Sequence, residues 1–169
     1  MKVILLGYMA SGKSTLVKYL AEKLEIEAID LDDYIVEKEK DSIKNIFKNK
    51  GEIYFRIQEN VYLKELIFSE NSFVLSLGGG TPCYANNMTL LNALPNTFYL
   101  KANMNTLYDR LRMQKSERPL ISELKDDKLK EFIAKHLFER APFYELAKHK
   151  IIVENKSIEH IGNEILRLL

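Results

Sequence analysis

The chain of 169 residues has no tryptophan and only one cysteine, Cys83. A single thiol cannot close an internal disulfide, which excludes a disulfide-framed secreted module and suits a reducing cytosol, where Cys83 fills a loop. Proline (4) and glycine (7) are sparse, and no Pro- or Gly-rich stretch or repeat separates two halves. No apolar run approaches the roughly 20 residues of a membrane span. The N-terminal apolar run is short and gives way to a glycine loop, so neither a signal peptide nor a membrane partner is expected. An excess of one charge is also missing: 25 Lys+Arg against 24 Asp+Glu leave a net charge of +1, without the basic surplus of a nucleic-acid binder. His136, His149 and His160 do not stand at metal-ligand spacing with Cys83. These absences leave one cytoplasmic domain over residues 1–169, large enough to bury roughly 70% of the surface its unfolded chain exposes.

What is present starts at the N-terminus. Val3 to Leu6 reads as a short buried strand, and Leu16, Val17, Leu20 and Leu24 have helical spacing. Between them, Gly7-Tyr8-Met9-Ala10-Ser11-Gly12-Lys13-Ser14 fits the phosphate-loop pattern G-x-x-x-x-G-K-[ST] in its required strand-then-helix context. Glycines at both ends let the backbone fold tightly, so that successive N–H groups and the helix N-terminus face phosphate oxygens. Lys13 then reaches the β and γ phosphates, and Ser14 offers its hydroxyl to Mg²⁺.

Further strands are expected at Glu27–Asp30, Phe73–Leu77, Thr97–Leu100 and Lys150–Val153. Helical patterns cover 33–48, 53–71, 88–94, 106–113, 128–146 and 158–168, with Gly51 as punctuation. Short apolar strands alternating with helices predict an α/β fold: a five-stranded parallel sheet between two helical layers, α/β/α. Ligands of such sheets bind beyond the carboxyl ends of the strands, where Gly7, Asp30 and Gly78 fall. Acidic residues there could cap the next helix, which is one reading of Asp33. Asp30 and Asp32 have a second use: beside a phosphate site, one carboxylate can hold metal waters while the other accepts a hydrogen bond from an attacking hydroxyl.

The phosphate loop, then Asp30-Leu31-Asp32, Gly51-Glu52-Ile53-Tyr54-Phe55-Arg56, Gly78-Gly79-Gly80, Arg118-Pro119-Leu120 and Arg140-Ala141-Pro142-Phe143-Tyr144, together resemble shikimate kinase along nearly the whole chain. The resemblance implies a P-loop NTPase fold of the nucleoside monophosphate kinase type, with a substrate-binding helical region at about 33–60 and a lid at about 112–124. It implies a monomeric transferase of aromatic amino-acid biosynthesis that uses ATP and Mg²⁺ to phosphorylate the 3-hydroxyl of shikimate. Ala10, Ser11, Gly12, Lys13, Ser14 and Thr15 would bind ATP, with Arg110, Asn155 and the lid's Arg118. Ser14 and Asp30 would serve the metal; Asp32 would hold the ring hydroxyls and orient or deprotonate the one that attacks; Arg56 and Arg140 would grip the carboxylate, beside Gly78, Gly79 and Gly80. Lys13, Asp32 and Arg118 form the catalytic set implied.

Two positions depart from the family pattern. Ala10 replaces a glycine, so the backbone there is expected to avoid positive φ; Leu77 precedes the triple glycine where a polar residue is usual. Tyr8 and Met9 are open to either substrate contact or loop packing. The rival readings are a P-loop kinase for another small acceptor, such as gluconate or a nucleoside monophosphate, and a nucleotide-binding module without turnover.

Overall fold

The structure, a computed structural model, describes residues 1–114, 121 and 124–169. The expected lid therefore falls largely outside the described residues, and Arg118 with it.

Strand β1 (Lys2–Leu6) leads through the phosphate loop into α1 (Lys13–Leu24) and β2 (Glu27–Asp30). Helices α2 (Leu31–Glu39) and α3 (Ile43–Phe68) precede β3 (Phe73–Ser76), a 3-10 turn at Thr81–Cys83 and α4 (Asn87–Asn92). The chain closes with β4 (Thr97–Lys101), α5 (Met104–Met113), α6 (Asp126–Tyr144), β5 (His149–Ile152) and α7 (Ile158–Leu166). The five strands form one parallel sheet in the order β2-β3-β1-β4-β5. Val3, Ile4, Leu5 and Leu6 are fully buried, as the central strand of a sheet covered on both faces must be. Because β2, β3 and β1 are neighbours, the register that pairs Asp30 with Ser76, and Leu5 with Ser76, brings the ends carrying Asp30, Gly78 and Gly7 to one edge.

The strands and helices arise where expected, with boundaries shifted by up to three residues; β5, for example, begins at His149 rather than Lys150, and α3 ends at Phe68 rather than near 71. One expectation is corrected. The stretch 33–48 is not a single helix: α2 ends with Lys40 in the left-handed region (φ 53°), and Ser42 starts α3 by accepting a hydrogen bond from the Asn45 N–H at 3.2 Å. A capping serine there outweighs the helical spacing of Ile35, Ile43 and Ile46. Gly51 punctuates as expected, breaking α3 with φ 84° and ψ 167°.

Candidate active site

The phosphate loop lies along a cavity of about 490 Å³ at the carboxyl ends of the strands. Ala10, Gly12, Lys13, Ser14 and Thr15 line it, facing Asp30, Asp32, Gly78, Gly79 and Arg110. Helix α1 begins behind Gly12 (φ 103°) with no side-chain cap, so its first N–H groups stay available to an anion. Lys13 is buried and donates to the carbonyl oxygens of Gly7 and Tyr8, each at 2.9 Å, so its ammonium is held across the loop. Ser11 is also buried, its hydroxyl set back from the cavity wall. Arg110 Nη1 donates to the Ala10 carbonyl at 3.0 Å.

Ala10 contradicts the expectation drawn from its side chain, since its φ is +61°. The loop's geometry requires a left-handed residue there and alanine adopts it, at a cost of about 1 kcal/mol relative to glycine. Leu77 takes the polar residue's place as an apolar, buried side chain at the cavity wall.

Asp30 rather than Asp33 caps α2: its Oδ1 accepts the Asp32 N–H at 3.0 Å. This bond occupies one oxygen of Asp30 and turns Asp32 into the first turn of α2, at the cavity wall. Burial, reinforced by the charges of Asp30 and Glu59 and opposed by Lys13 and Arg56, pushes the Asp32 carboxyl up to about 6. A carboxylate that is readily protonated, beside a lysine and a phosphate loop, has the properties of a general base.

The triple glycine leaves room for three functional side chains. A Cβ on Gly78 would stand 3.1 Å from Asp32 Oδ1, one on Gly79 3.4 Å from Arg140 Nη1, and one on Gly80 2.8 Å from Arg56 Nη2. None of the three glycines has positive φ, so close approach and not backbone conformation favours glycine here. The same contacts bring Asp32, Arg140 and Arg56 to one short run of backbone.

Several residues that the sequence reading missed hold this arrangement. Glu59, fully buried, accepts from Arg56 Nη1 at 2.9 Å and from the Thr81 hydroxyl at 2.6 Å. Its place three residues after Arg56 on a helix was the available signal. Asn87 Nδ2 donates to the Thr81 carbonyl at 2.8 Å, and the Asn60 amide reaches Asn87 Oδ1 at 2.6 Å, extending the network to α4. The Tyr84 ring lies 4.2 Å from the Arg56 guanidinium carbon. Tyr144 donates its hydroxyl to the Gly79 carbonyl. Cys83, half-buried beside these groups, has its thiol pushed up to about 11 by burial, so it stays an unreactive packing group at neutral pH.

Asn155 is not brought to the cavity wall. Its backbone is left-handed (φ 56°), Ser157 then caps α7, and the wall is formed instead by Ile158, whose Cδ1 would lie 3.9 Å from a Cβ on Gly12. Among the described residues no cluster of three or more His, Cys, Asp or Glu could hold a metal, and no helix is long and apolar enough to cross a membrane.

Comparison with known proteins gives a consistent family. The sequence model of the family described as shikimate kinase matches residues 9–169. The shikimate kinase of Flavobacterium johnsoniae is 47% identical over 169 residues, covering 99% of this chain and 98% of its own. The crystal structure of shikimate kinase from Bacteroides thetaiotaomicron superposes with a TM-score of 0.89 at 38% identity, covering 99% of this chain and 96% of that one. Shikimate kinase from Acinetobacter baumannii in complex with shikimate gives a TM-score of 0.87 at 31% identity, covering 99% and 91%.

Proposed function

The chain belongs to the shikimate kinase family, and we infer from that premise that it transfers the γ-phosphoryl group of ATP to the 3-hydroxyl of shikimate, giving shikimate 3-phosphate and ADP. The observation that carries the inference is the convergence of Asp32, Arg140 and Arg56 on Gly78-Gly79-Gly80 beside the phosphate loop. A nucleotide acceptor would present its phosphate to the two guanidiniums but has no hydroxyl proton for a carboxylate base to take. A hydroxy acid uses all three.

In this reading the uncapped start of α1 and the N–H groups of residues 10–15 hold the ATP phosphates. Lys13 leaves its loop carbonyls for the β and γ phosphates, exchanging two neutral acceptors for charged ones. Arg56, fixed by Glu59, and Arg140, beside Tyr144, take the acceptor carboxylate and turn the ring toward Asp32. Asp32 accepts the hydroxyl proton as the oxygen approaches phosphorus in line, and Lys13 with Arg118 offsets charge on the transferring group. Arg110 and Ile158 flank the nucleotide base.

The Ser14 hydroxyl and the Asp30 and Asp32 carboxylates line the same cavity, a set of hard oxygen donors too few for an all-protein cage and suited to Mg²⁺, which keeps waters and phosphate oxygens among its ligands. Ser14 and Asp30 would hold it, and when bound it neutralises charge on the phosphates. The proposal includes a single domain with its acceptor region at about 33–60 and a lid at about 112–124 that excludes water. It also includes a cytoplasmic monomer, as the family resemblance implies.

The test is ADP release from Mg-ATP with shikimate, gluconate, quinate or AMP as separate acceptors. Release with shikimate alone, lost in Lys13→Ala and sharply reduced in Arg140→Ala, is expected. Release with another acceptor and none with shikimate would overturn the substrate and leave only a P-loop kinase.

A further inference from the structure

Tyr8 belongs to the phosphate loop by its backbone, yet its ring is buried against α6. Its carbonyl accepts from Lys13 Nζ at 2.9 Å, and its hydroxyl meets His136 Nδ1 at 3.2 Å. One residue thus joins the lysine of the nucleotide side to the helix that carries Arg140. The Tyr8 ring stands edge-on to the imidazole, with centroids 6.2 Å apart and planes at 70°, and the Arg140 guanidinium carbon lies 5.9 Å from its centroid. Phe132, His136 and Arg140 follow one another at four-residue intervals on one face of α6, and the Phe132 ring packs on His136 at 4.1 Å.

Phosphate binding explains none of this. The loop holds phosphate through backbone N–H groups, a duty indifferent to a phenol at position 8. Arginine, in contrast, has a long flexible stem and grips a carboxylate well only when its planar fork is held in place. Tyr144 and Gly79 bound the guanidinium of Arg140 on one side, and the Tyr8 ring bounds it on another.

We propose that Tyr8 and His136 are positioning residues for acceptor binding: their hydrogen bond docks α6 on the phosphate loop and holds Arg140 where the shikimate carboxylate arrives. The proposal rests on the assignment of Arg140 to that carboxylate made above. Burial, then the charge of Arg140, holds His136 below its ordinary pKa, which favours a neutral ring. Burial, partly opposed by Arg140, pushes the Tyr8 phenol up to about 12, so that it remains protonated. In the tautomer with hydrogen on Nε2, Nδ1 accepts the phenolic proton.

The experiment measures steady-state kinetics, with shikimate and ATP varied in turn, for Tyr8→Phe, His136→Leu, His136→Gln, the double variant Tyr8→Phe/His136→Leu, and Arg140→Ala. Tyr8→Phe and His136→Leu should each raise KM for shikimate about fivefold, as expected for one lost hydrogen bond in a part-buried site, and should move kcat and KM for ATP less. The double variant should be no worse than the poorer single one, and His136→Gln, whose amide oxygen can accept the same proton, should recover most of the loss. A KM for shikimate within about twofold of wild type in Tyr8→Phe overturns the proposal, as do additive losses in the double variant. An equal rise in KM for ATP also overturns it, because the loop itself would then be disturbed. Arg140→Ala separates the two levels: if it leaves KM for shikimate unchanged, the clamp reading fails and the proposal with it. If it raises KM while Tyr8→Phe is silent, only the positioning role fails. Tyr8→Phe removes a single oxygen, so it carries the test if thermal melts show that His136→Leu is unstable.

Discussion

Asp32→Asn should make the ligand-free protein more stable while removing its activity. Asp32 is half-buried among Asp30 and Glu59, and its folded pKa stands near 6 against 3.8 as the ordinary value. A raised carboxyl pKa means that the folded state binds the proton more tightly than the unfolded chain does. Stability from this group is therefore fully present below about pH 3.8 and is lost as pH rises through about 6. At 1.36 kcal/mol per pH unit, the ionised carboxylate costs the fold up to about 3 kcal/mol at about pH 7.5, and about 1 kcal/mol at about pH 4.5. Asparagine has nearly the same shape and no charge, and Asp32 accepts no hydrogen bond among the described residues that the change would break. Urea unfolding without ATP or Mg²⁺ should show Asp32→Asn more stable than wild type at the higher pH, with the gap shrinking toward the lower one. The same variant should lose at least about 100-fold in kcat, the usual contribution of a general base, and wild-type kcat/KM for shikimate should fall as pH drops below about 6. A variant less stable than wild type at about pH 7.5, or a gap independent of pH, would refute the account of Asp32 as a strained, partly desolvated carboxylate.

Other substitutions probe the same site. In Gly80→Ala the new Cβ would meet Arg56 Nη2 at 2.8 Å while the backbone, at φ −90°, is unstrained; a fluorescence melt should stay within about 1 kcal/mol of wild type while KM for shikimate rises about tenfold. Glu59→Ala removes the partner of Arg56 and of the Thr81 hydroxyl and should cost about 3 kcal/mol in urea unfolding, with a weaker grip on shikimate read by kinetics. Ala10→Gly relieves a left-handed alanine and should raise stability by up to about 1 kcal/mol, with no loss of ATP binding measured by calorimetry.

The parts of this protein that were legible in the sequence are those whose signal is contiguous. The apolar run of β1 and the eight-residue phosphate loop each carry their whole pattern within one turn of chain, and both stand where they were expected. The helix at 33–48 misled because its apolar spacing continued across Lys40-Asp41-Ser42, where a left-handed residue and a serine cap end one helix and begin another. Ala10 misled in the opposite way: intrinsic preference argues against positive φ for alanine, and the surrounding loop overrides it. Glu59 belongs to no motif, and its place three residues after Arg56 was its one local signal.

The sequence by itself determined the alternation of strands and helices, the phosphate loop and the kinase family, because propensity, hydrophobic period and motif are properties of neighbouring residues. Only the tertiary structure decided which side chains meet. The parallel sheet, in the order β2-β3-β1-β4-β5, sets Asp30 and Gly78 beside Gly7. The triple glycine then admits Asp32, Arg140 and Arg56 from three separate helices, and Tyr8 reaches His136 across most of the chain. Such contacts follow from how buried faces pack in three dimensions, and no local period along the chain encodes them.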